Sequence, residues 1–239
     1  MSDLHFDYPN WEAFVDAAIS RIQQSKYKAF SRAEDNYHDR YWSGTDTFEQ
    51  AIYLAQHGWP EGVILLEKYQ LKLNSSLPVP ITTRPTMHMD YIGPGTIDFD
   101  RYQLGHPEPI ITYRPEPIES VDFVDIVYNM TTSSGVSTNS MIEKGATILA
   151  LIDLLESHNK RTRVTIVSAD NRNIPGTIYV SVKLKDYNEP LDKEKMIFAL
   201  ANPATFRRLD FSILEQDIHL PSNYGQIVDY PHIDEQLYI

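Results

Sequence analysis

Residues 129–137 read Asn129-Met130-Thr131-Thr132-Ser133-Ser134-Gly135-Val136-Ser137, which puts five hydroxyls and one carboxamide into nine positions. Ahead of a helix, such a run could hold an anion through backbone N–H groups and the positive end of the helix dipole. It is not a P-loop, because the Gly-x-x-x-x-Gly-Lys-Ser/Thr spacing is missing and the next lysine is Lys144. The plainer reading is that Ser137 or Thr138 caps the helix and the rest forms a polar turn. Eight histidines invite a metal, yet none stands in His-x-x-x-His or His-Glu-x-x-His. The pairs His88/Asp90, His106/Glu108 and His232/Asp234 alternate as an extended strand would need, but pairs of this kind arise easily in an acidic chain. No metal ligand or cofactor is assigned. With no Gly-x-Ser-x-Gly and no cysteine, a strained serine elbow, a thiol nucleophile and thiolate metal sites are all excluded.

The basic clusters are Arg207-Arg208 and Lys160-Arg161-x-Arg163. Arg161 and Arg163 follow a predicted helix end, where the dipole favours cations. Arg207 and Arg208 form a candidate nucleic-acid patch, since 15 tyrosines and 3 tryptophans could stack bases beside them. The same aromatics could instead anchor a protein interface. Net charge decides between these: 21 basic against 33 acidic residues gives −12, which repels a phosphate backbone.

The elements that must position these residues follow from periodicity. Val121-Asp122-Phe123-Val124-Asp125-Ile126-Val127-Tyr128 is β-branched and aromatic. Thr138–Ser157 carries apolar residues over more than half its circumference and ends at Asn159, and Arg163–Ser168 is a second strand. Strand, long helix and strand within about 50 residues is the βαβ pattern, which favours parallel pairing. It places the 129–137 loop at a strand's carboxyl end, where open α/β sheets bind ligands. Asp170 lies in the loop after the second strand. A further strand is predicted at 177–184 and helices at 192–200 and 203–208, with Ile213 or Ile227 opening late strand pieces.

Upstream, Trp11, Phe14, Val15, Ala18, Ile19 and Ile22 share one face of a helix over about 10–24. Lys26–Tyr41 reads as an irregular loop. Thr45 or Asp46 should cap a helix over 47–57, with Glu49 at capping-box distance from Asp46 and Gly58 as terminator. Another helix follows near 61–72. Eight prolines between Asn74 and Pro117 largely forbid helix and leave extended pieces at 86–91, 97–103 and 109–114. No basic and apolar leader opens the chain, and no apolar run nears the roughly 18 residues that a membrane span needs.

The loop residues also resemble, in degraded form, the metal site of von Willebrand factor A-type domains, whose Asp-x-Ser-x-Ser ends the first strand. Asn129, Thr131 and Ser133 align with it, over about 121–170. Asn in the leading place removes the charge that a hard cation wants and leaves Asp170 as the nearby acid. The resemblance implies a similar scaffold without an intact metal site.

A longer resemblance runs through Trp42-x-Gly44, Phe48-Glu49-x-Ala51, Ala55-x-x-Gly58-Trp59-Pro60-Glu61-Gly62, Lys144-Gly145-Ala146, Leu151-Ile152-Asp153-Leu154-Leu155-Glu156 and Asn202-Pro203-x-x-x-Arg207-Arg208-x-x-Phe211. These segments are similar to a family of uncharacterised proteins found mainly in tailed phages. The resemblance carries no activity; it implies a viral origin and residence in the host cytoplasm.

These readings predict an α/β protein with a central mixed or parallel sheet, a βαβ unit over 121–168 and an N-terminal helical elaboration. Its segments are a helical region at 1–73, a proline-rich extended segment at 74–120, the α/β core at 121–221 and a tail at 222–239 that wraps the surface. The expected function is non-enzymatic binding of another protein, with Asn129, Thr131, Ser133, Ser134 and Asp170 as the ligand or partner loop. The alternatives are an accessory single-stranded nucleic-acid-binding protein in phage DNA or RNA transactions, using Arg207 and Arg208, and a metal-dependent hydrolase; retaining or inverting hydrolysis would need two facing carboxylates, which 33 acids leave open. A soluble, cytoplasmic protein without a membrane partner is expected.

Overall fold

The computed structural model describes residues 3–22, 31, 40–76, 83–117, 122–171, 177–215, 226–227 and 237–238. In chain order the elements are β1 (Leu4–Tyr8), α1 (Trp11–Ile22), α2 (Arg40–Ser43), α3 (Phe48–His57), α4 (Pro60–Ser76), β2 (Thr83–Asp90), β3 (Thr96–Ile97), α5 (Phe99–Gln103) and β4 (Ile110–Pro117). Then come β5 (Asp122–Asn129), α6 (Thr138–Ser157), β6 (Lys160–Asn171), β7 (Ile178–Lys185), α7 (Lys193–Ala201), a π-helical turn (Thr205–Asp210), α8 (Phe211–Leu214), β8 (Gln226–Ile227) and β9 (Leu237–Tyr238). They fall into two compact units, 1–77 with 122–239, and 78–121.

The larger unit is α/β with a mixed sheet in the order β1-β7-β6-β5-β9. β5 and β6 run parallel from Asp122↔Lys160 to Asn129↔Val167, and α6 joins them as predicted. Successive strand residues point to opposite faces. Ile126, Tyr128, Val164, Ile166, Val180 and Val182 therefore share the face that packs into the core with Met141, Ala146, Leu149 and Ile152 of α6. Leu149 is fully buried and Leu154 half-buried. Gly145 permits this close packing: a Cβ there would lie 2.1 Å from the Leu200 carbonyl oxygen at the end of α7.

α1 forms for local and tertiary reasons together. Asn10 caps it by accepting from the Ala13 N–H at 2.8 Å, and Trp11, Phe14, Val15 and Ala18 repeat at helical spacing on its buried face. Each large side chain so buried contributes about 1.5–3 kcal/mol, and truncating Phe14 to Ala would cost about 3–5 kcal/mol through the cavity it leaves. Trp11 Nε1 reaches the Ala55 carbonyl at 2.7 Å and fastens α1 to α3.

Several expectations are corrected. The cap of α3 is Thr47, which accepts from the Gln50 N–H at 3.0 Å, rather than Thr45 or Asp46. Thr45 instead donates to the Thr47 carbonyl, and Gln50, not Glu49, reaches back to the Asp46 N–H at 2.7 Å. Gly58 ends the helix at φ +93, as predicted. Of the extended piece expected over 97–103 only Ile97 lies in a strand, β3, and Phe99–Gln103 form α5, capped by Asp98, which accepts from the Arg101 N–H, a local bond that outweighs the alternating pattern. Ile213 is buried in α8 rather than opening a strand, whereas Ile227 does lie in one. Most of the loop expected over 26–41, most of the tail from 222, and the pair His232/Asp234 lie outside the described residues.

β1 has no counterpart in the sequence reading. It pairs parallel with β7 from Leu4↔Ile178 to Tyr8↔Val182, and β9 pairs parallel with β5 at Ile126↔Leu237 and Val127↔Tyr238. β6 and β7 are antiparallel, which makes the sheet mixed.

The smaller unit carries a three-stranded antiparallel sheet in the order β2-β4-β3. One face holds its polar pairs: His88 with Glu116 at 2.9 Å, Arg114 with Asp90 at 2.7 Å, and the Thr112 hydroxyl on Asp90 at 2.5 Å. Among its described residues no hydrophobic side chain is buried.

Candidate functional site

The βαβ unit brings the predicted loop to the sheet's rim. The Met130 N–H donates to the Val167 carbonyl at 2.9 Å, and the Thr131 hydroxyl accepts from the Ala169 N–H at 3.0 Å, so Thr131 lies beside the residue that precedes Asp170. Asn129 folds back to accept from the Thr131 N–H at 2.9 Å, and the Ser133 hydroxyl accepts from the Gly135 N–H at 3.4 Å. Ser137 caps α6 through the Ser140 N–H at 3.1 Å. Asn129, Ser133 and Ser137 thus complete local backbone bonds, the usual task of short polar side chains in turns, while Thr131 braces the neighbouring strand 38 positions away. Ser133 and Ser134 remain exposed, while Asn129, Thr131 and Asp170 are half-buried.

The place beyond the carboxyl end of β5 is partly filled by the chain itself. β7 pairs with β6 as far as Asp170 and β5 pairs with its other edge only as far as Val167. β8, which pairs with Asp170 and Asn171, takes the lane that β5 leaves. Lys144 closes the near side, with its Nζ 4.8 Å from the Tyr128 ring centroid and 3.4 Å from the Asn129 carbonyl. Burial lowers the Lys144 ammonium from its ordinary pKa.

Arg207 and Arg208 are not a surface patch. Both are 1% exposed, which corrects the expectation of a nucleic-acid contact there. Arg207 donates to the Trp42 carbonyl at 2.6 Å and the Val136 carbonyl at 2.8 Å, with its guanidinium carbon 4.5 Å from the Trp42 ring centroid. Burial lowers it to about 10, which leaves it charged at neutral pH. Arg208 donates to the carbonyls of Ser31, Thr45 and Asp46 and to the Ser43 hydroxyl. Trp42 Nε1 in turn donates to the Ser134 carbonyl at 3.2 Å. The π-helical turn therefore aims two cations into the scaffold that holds the 129–137 loop, where a sequence offers only two adjacent basic letters.

A cleft of about 250 Å³ opens between the start of α1, the end of β7 and the start of α7. Its lysines are paired: Lys183 with Asp186 at 3.2 Å, Lys185 with Glu156 at 2.6 Å and Lys195 with Glu12 at 3.4 Å. Lys185 is 2% exposed at its side chain and also donates to the carbonyls of Thr162 and Asp186, which completes its three donors. Among the described residues no group of three His, Asp or Glu is arranged to hold a metal ion. No described helix is long and apolar enough to cross a membrane.

The surface that sequence reasoning missed lies in the smaller unit. Met87 and Tyr113, opposite one another on β2 and β4, are 53% and 68% exposed. Tyr91 and Ile92 in the following turn are 72% and 74% exposed, and Phe99, Tyr102 and Leu104 at α5 stand out likewise. Exposed apolar side chains of this size are the feature of the smaller unit that its own polar pairs do not account for. The available signal was the density of aromatics among prolines, which a linear pattern cannot divide between core and surface.

The fold defines an α/β chain of two compact units, the larger with a mixed sheet and the smaller with a three-stranded antiparallel sheet. A family model described as a domain of unknown function (DUF7192) matches residues 3–239, and the chain belongs to that family. No curated protein and no solved structure matches the chain.

Proposed function

We propose that this protein acts by binding another protein rather than by chemistry, on a von Willebrand factor A-like scaffold without an intact metal site. The observation that carries the reading is the unburied apolar set on the smaller unit, with Tyr91, Phe99, Tyr102 and Leu104 each more than 60% exposed. Aromatic and aliphatic anchors of this kind supply most of the energy of protein contacts. The scaffold half of the reading is supported by the loop after β5, where Asn129 and Thr131 engage backbone N–H groups instead of standing free as ligands. A phage-type setting in the host cytoplasm accompanies the reading, on the strength of the segments that resemble tailed-phage proteins.

The test is a photo-crosslinking residue placed at Tyr102 in the full chain, irradiated in the cells that produce it. Covalent adducts to protein, lost when Leu104→Asp is added, are expected. Adducts to nucleic acid, or none to protein, would overturn the reading.

A further inference from the structure

The larger sheet ends on one side at β1, whose outer edge no described strand pairs. The Leu4 N–H donates to the Thr177 carbonyl at 3.0 Å, and the pairing with β7 runs regularly from Leu4↔Ile178 to Tyr8↔Val182. In a parallel ladder a residue sends its N–H and its carbonyl to the same neighbouring strand, and the side alternates along the chain. Leu4, Phe6 and Tyr8 therefore bond to β7, while the N–H and carbonyl groups of His5 and Asp7 point outward, where no described residue meets them. Both residues are exposed. Proteins usually guard such an edge with a proline, a lysine or a bulge, and Leu4–Tyr8 has none of these. The charge it does carry, Asp7, already accepts from the Ser181 hydroxyl.

We infer that this edge is an interface with a second copy of the chain, β1 pairing antiparallel with β1 about a twofold axis at Phe6. The inference goes beyond the binding reading above, which concerns 83–117, and does not rest on it. The run Leu4-His5-Phe6-Asp7-Tyr8 selects this occupant by its register. In an antiparallel ladder, residue pairs that exchange both hydrogen bonds alternate with pairs that exchange none. An axis at Phe6 sets His5 opposite Asp7 of the second copy, so every outward N–H meets an outward carbonyl, and Phe6, already bonded to β7, falls on a pair that exchanges none. Moving the axis to His5 would set Asp7 against Asp3, and moving it to Asp7 would set Asp7 against itself and His5 against Pro9, which has no N–H. Only the axis at Phe6 joins unlike groups. Strand alternation puts His5 and Asp7 on the face turned away from the core, where an imidazole N–H donates to the carboxylate opposite. His5 is held ready there by stacking on Tyr179, 4.8 Å between ring centroids. On the core face Leu4, 43% exposed, comes to lie against Tyr8 of the second copy. The isologous contact repeats each of these pairs. A foreign strand would have to carry the same pattern, an acid opposite His5 and a donor opposite Asp7, which this chain supplies itself.

Sedimentation velocity on the full chain over about 1–100 µM, a range that brackets a micromolar Kd, reads the assembly directly. A species of twice 27.5 kDa is expected. His5→Asp sets like charges against each other at both symmetric pairs and should raise the dissociation constant about tenfold or more. His5→Asp combined with Asp7→His exchanges the partners and should bring the dimer back. His5→Pro removes an outward N–H and no bond to β7, so it should give a single chain. Its melting temperature at about 1 µM, where little dimer forms, should match that of the unaltered chain. A single chain throughout, a dimer indifferent to His5→Asp and His5→Pro, or one that the exchange fails to restore, would overturn the inference. If the chain is single and His5→Pro abolishes its capture of a different protein, the edge takes a foreign strand and the second copy falls. The crosslinker at Tyr102 reads the smaller unit, so the binding reading stands or falls separately.

Discussion

Arg207 stacks its guanidinium carbon 4.5 Å from the Trp42 ring centroid while donating to the carbonyl of that same tryptophan at 2.6 Å. One buried cation thereby fixes both the ring and the backbone of residue 42, and through the Val136 carbonyl it also fixes the end of the hydroxyl-rich loop.

Replacing Arg207 by Lys keeps the charge and loses the planar fork that serves two carbonyls at once. The unfolding free energy should fall by about 2–3 kcal/mol in urea titration, because a buried carbonyl left without its donor costs about 1–3 kcal/mol. A change below about 0.5 kcal/mol, the level of an ordinary surface substitution, would show that the fork does not hold the loop.

Thr131→Val preserves shape and removes the oxygen that receives the Ala169 N–H. A loss of about 1–3 kcal/mol is expected, with faster hydrogen exchange at Ala169 and recovery in Thr131→Ser. Unchanged exchange at Ala169 would mean that the hydroxyl is free for another purpose.

Gly145→Ala tests the approach of α6 to α7. The added methyl would meet the Leu200 carbonyl at 2.1 Å and Ala201 Cα at 2.4 Å, both backbone atoms that cannot swing aside. The helix-propensity gain of Ala is about 1 kcal/mol, and overpacking against fixed backbone exceeds it, for a net loss of about 2 kcal/mol or more. A rise in melting temperature would refute the packing.

Acid should weaken the fold through two carboxylates. Desolvation pushes Glu156 up, but the hydrogen bonds from Lys185 and Thr162 outweigh it and hold the carboxyl below its ordinary value of 4.5. The Tyr187 N–H, with Lys183 and Arg163, lowers Asp186 to about 2. Both groups bind protons more readily unfolded, so their contribution is complete above their ordinary values and is lost as pH falls through the folded ones. Urea midpoints should be flat from about pH 7 to about pH 5 and decline below, and Asp186→Asn should flatten the lowest part of the decline. Lys185→Met, which strands Glu156, should cost about 3–5 kcal/mol at neutral pH. A midpoint that holds steady down to pH 2 would contradict both assignments.

Much of the larger unit was legible because its signals are local. Trp11, Phe14, Val15 and Ala18 mark α1 by spacing, and the β-branched run before the 20-residue α6 marks the βαβ unit. The candidate loop was legible in place but not in role, because whether Thr131 is a ligand or a brace depends on Ala169, which lies 38 positions away.

The sequence by itself determined the helices α1, α3, α4, α6 and α7, the strands β5 to β7, that β5 and β6 are joined by a buried helix, and that the chain is acidic and thiol-free. Those properties follow from periodicity, capping and composition, which neighbouring residues decide. Only the tertiary structure decided that β1 and β9 attach to β7 and β5, that Arg207 and Arg208 turn inward, and that the aromatics of 83–117 face outward. Strand pairing and burial depend on which distant backbone and side chains arrive beside a residue, and no local pattern encodes that.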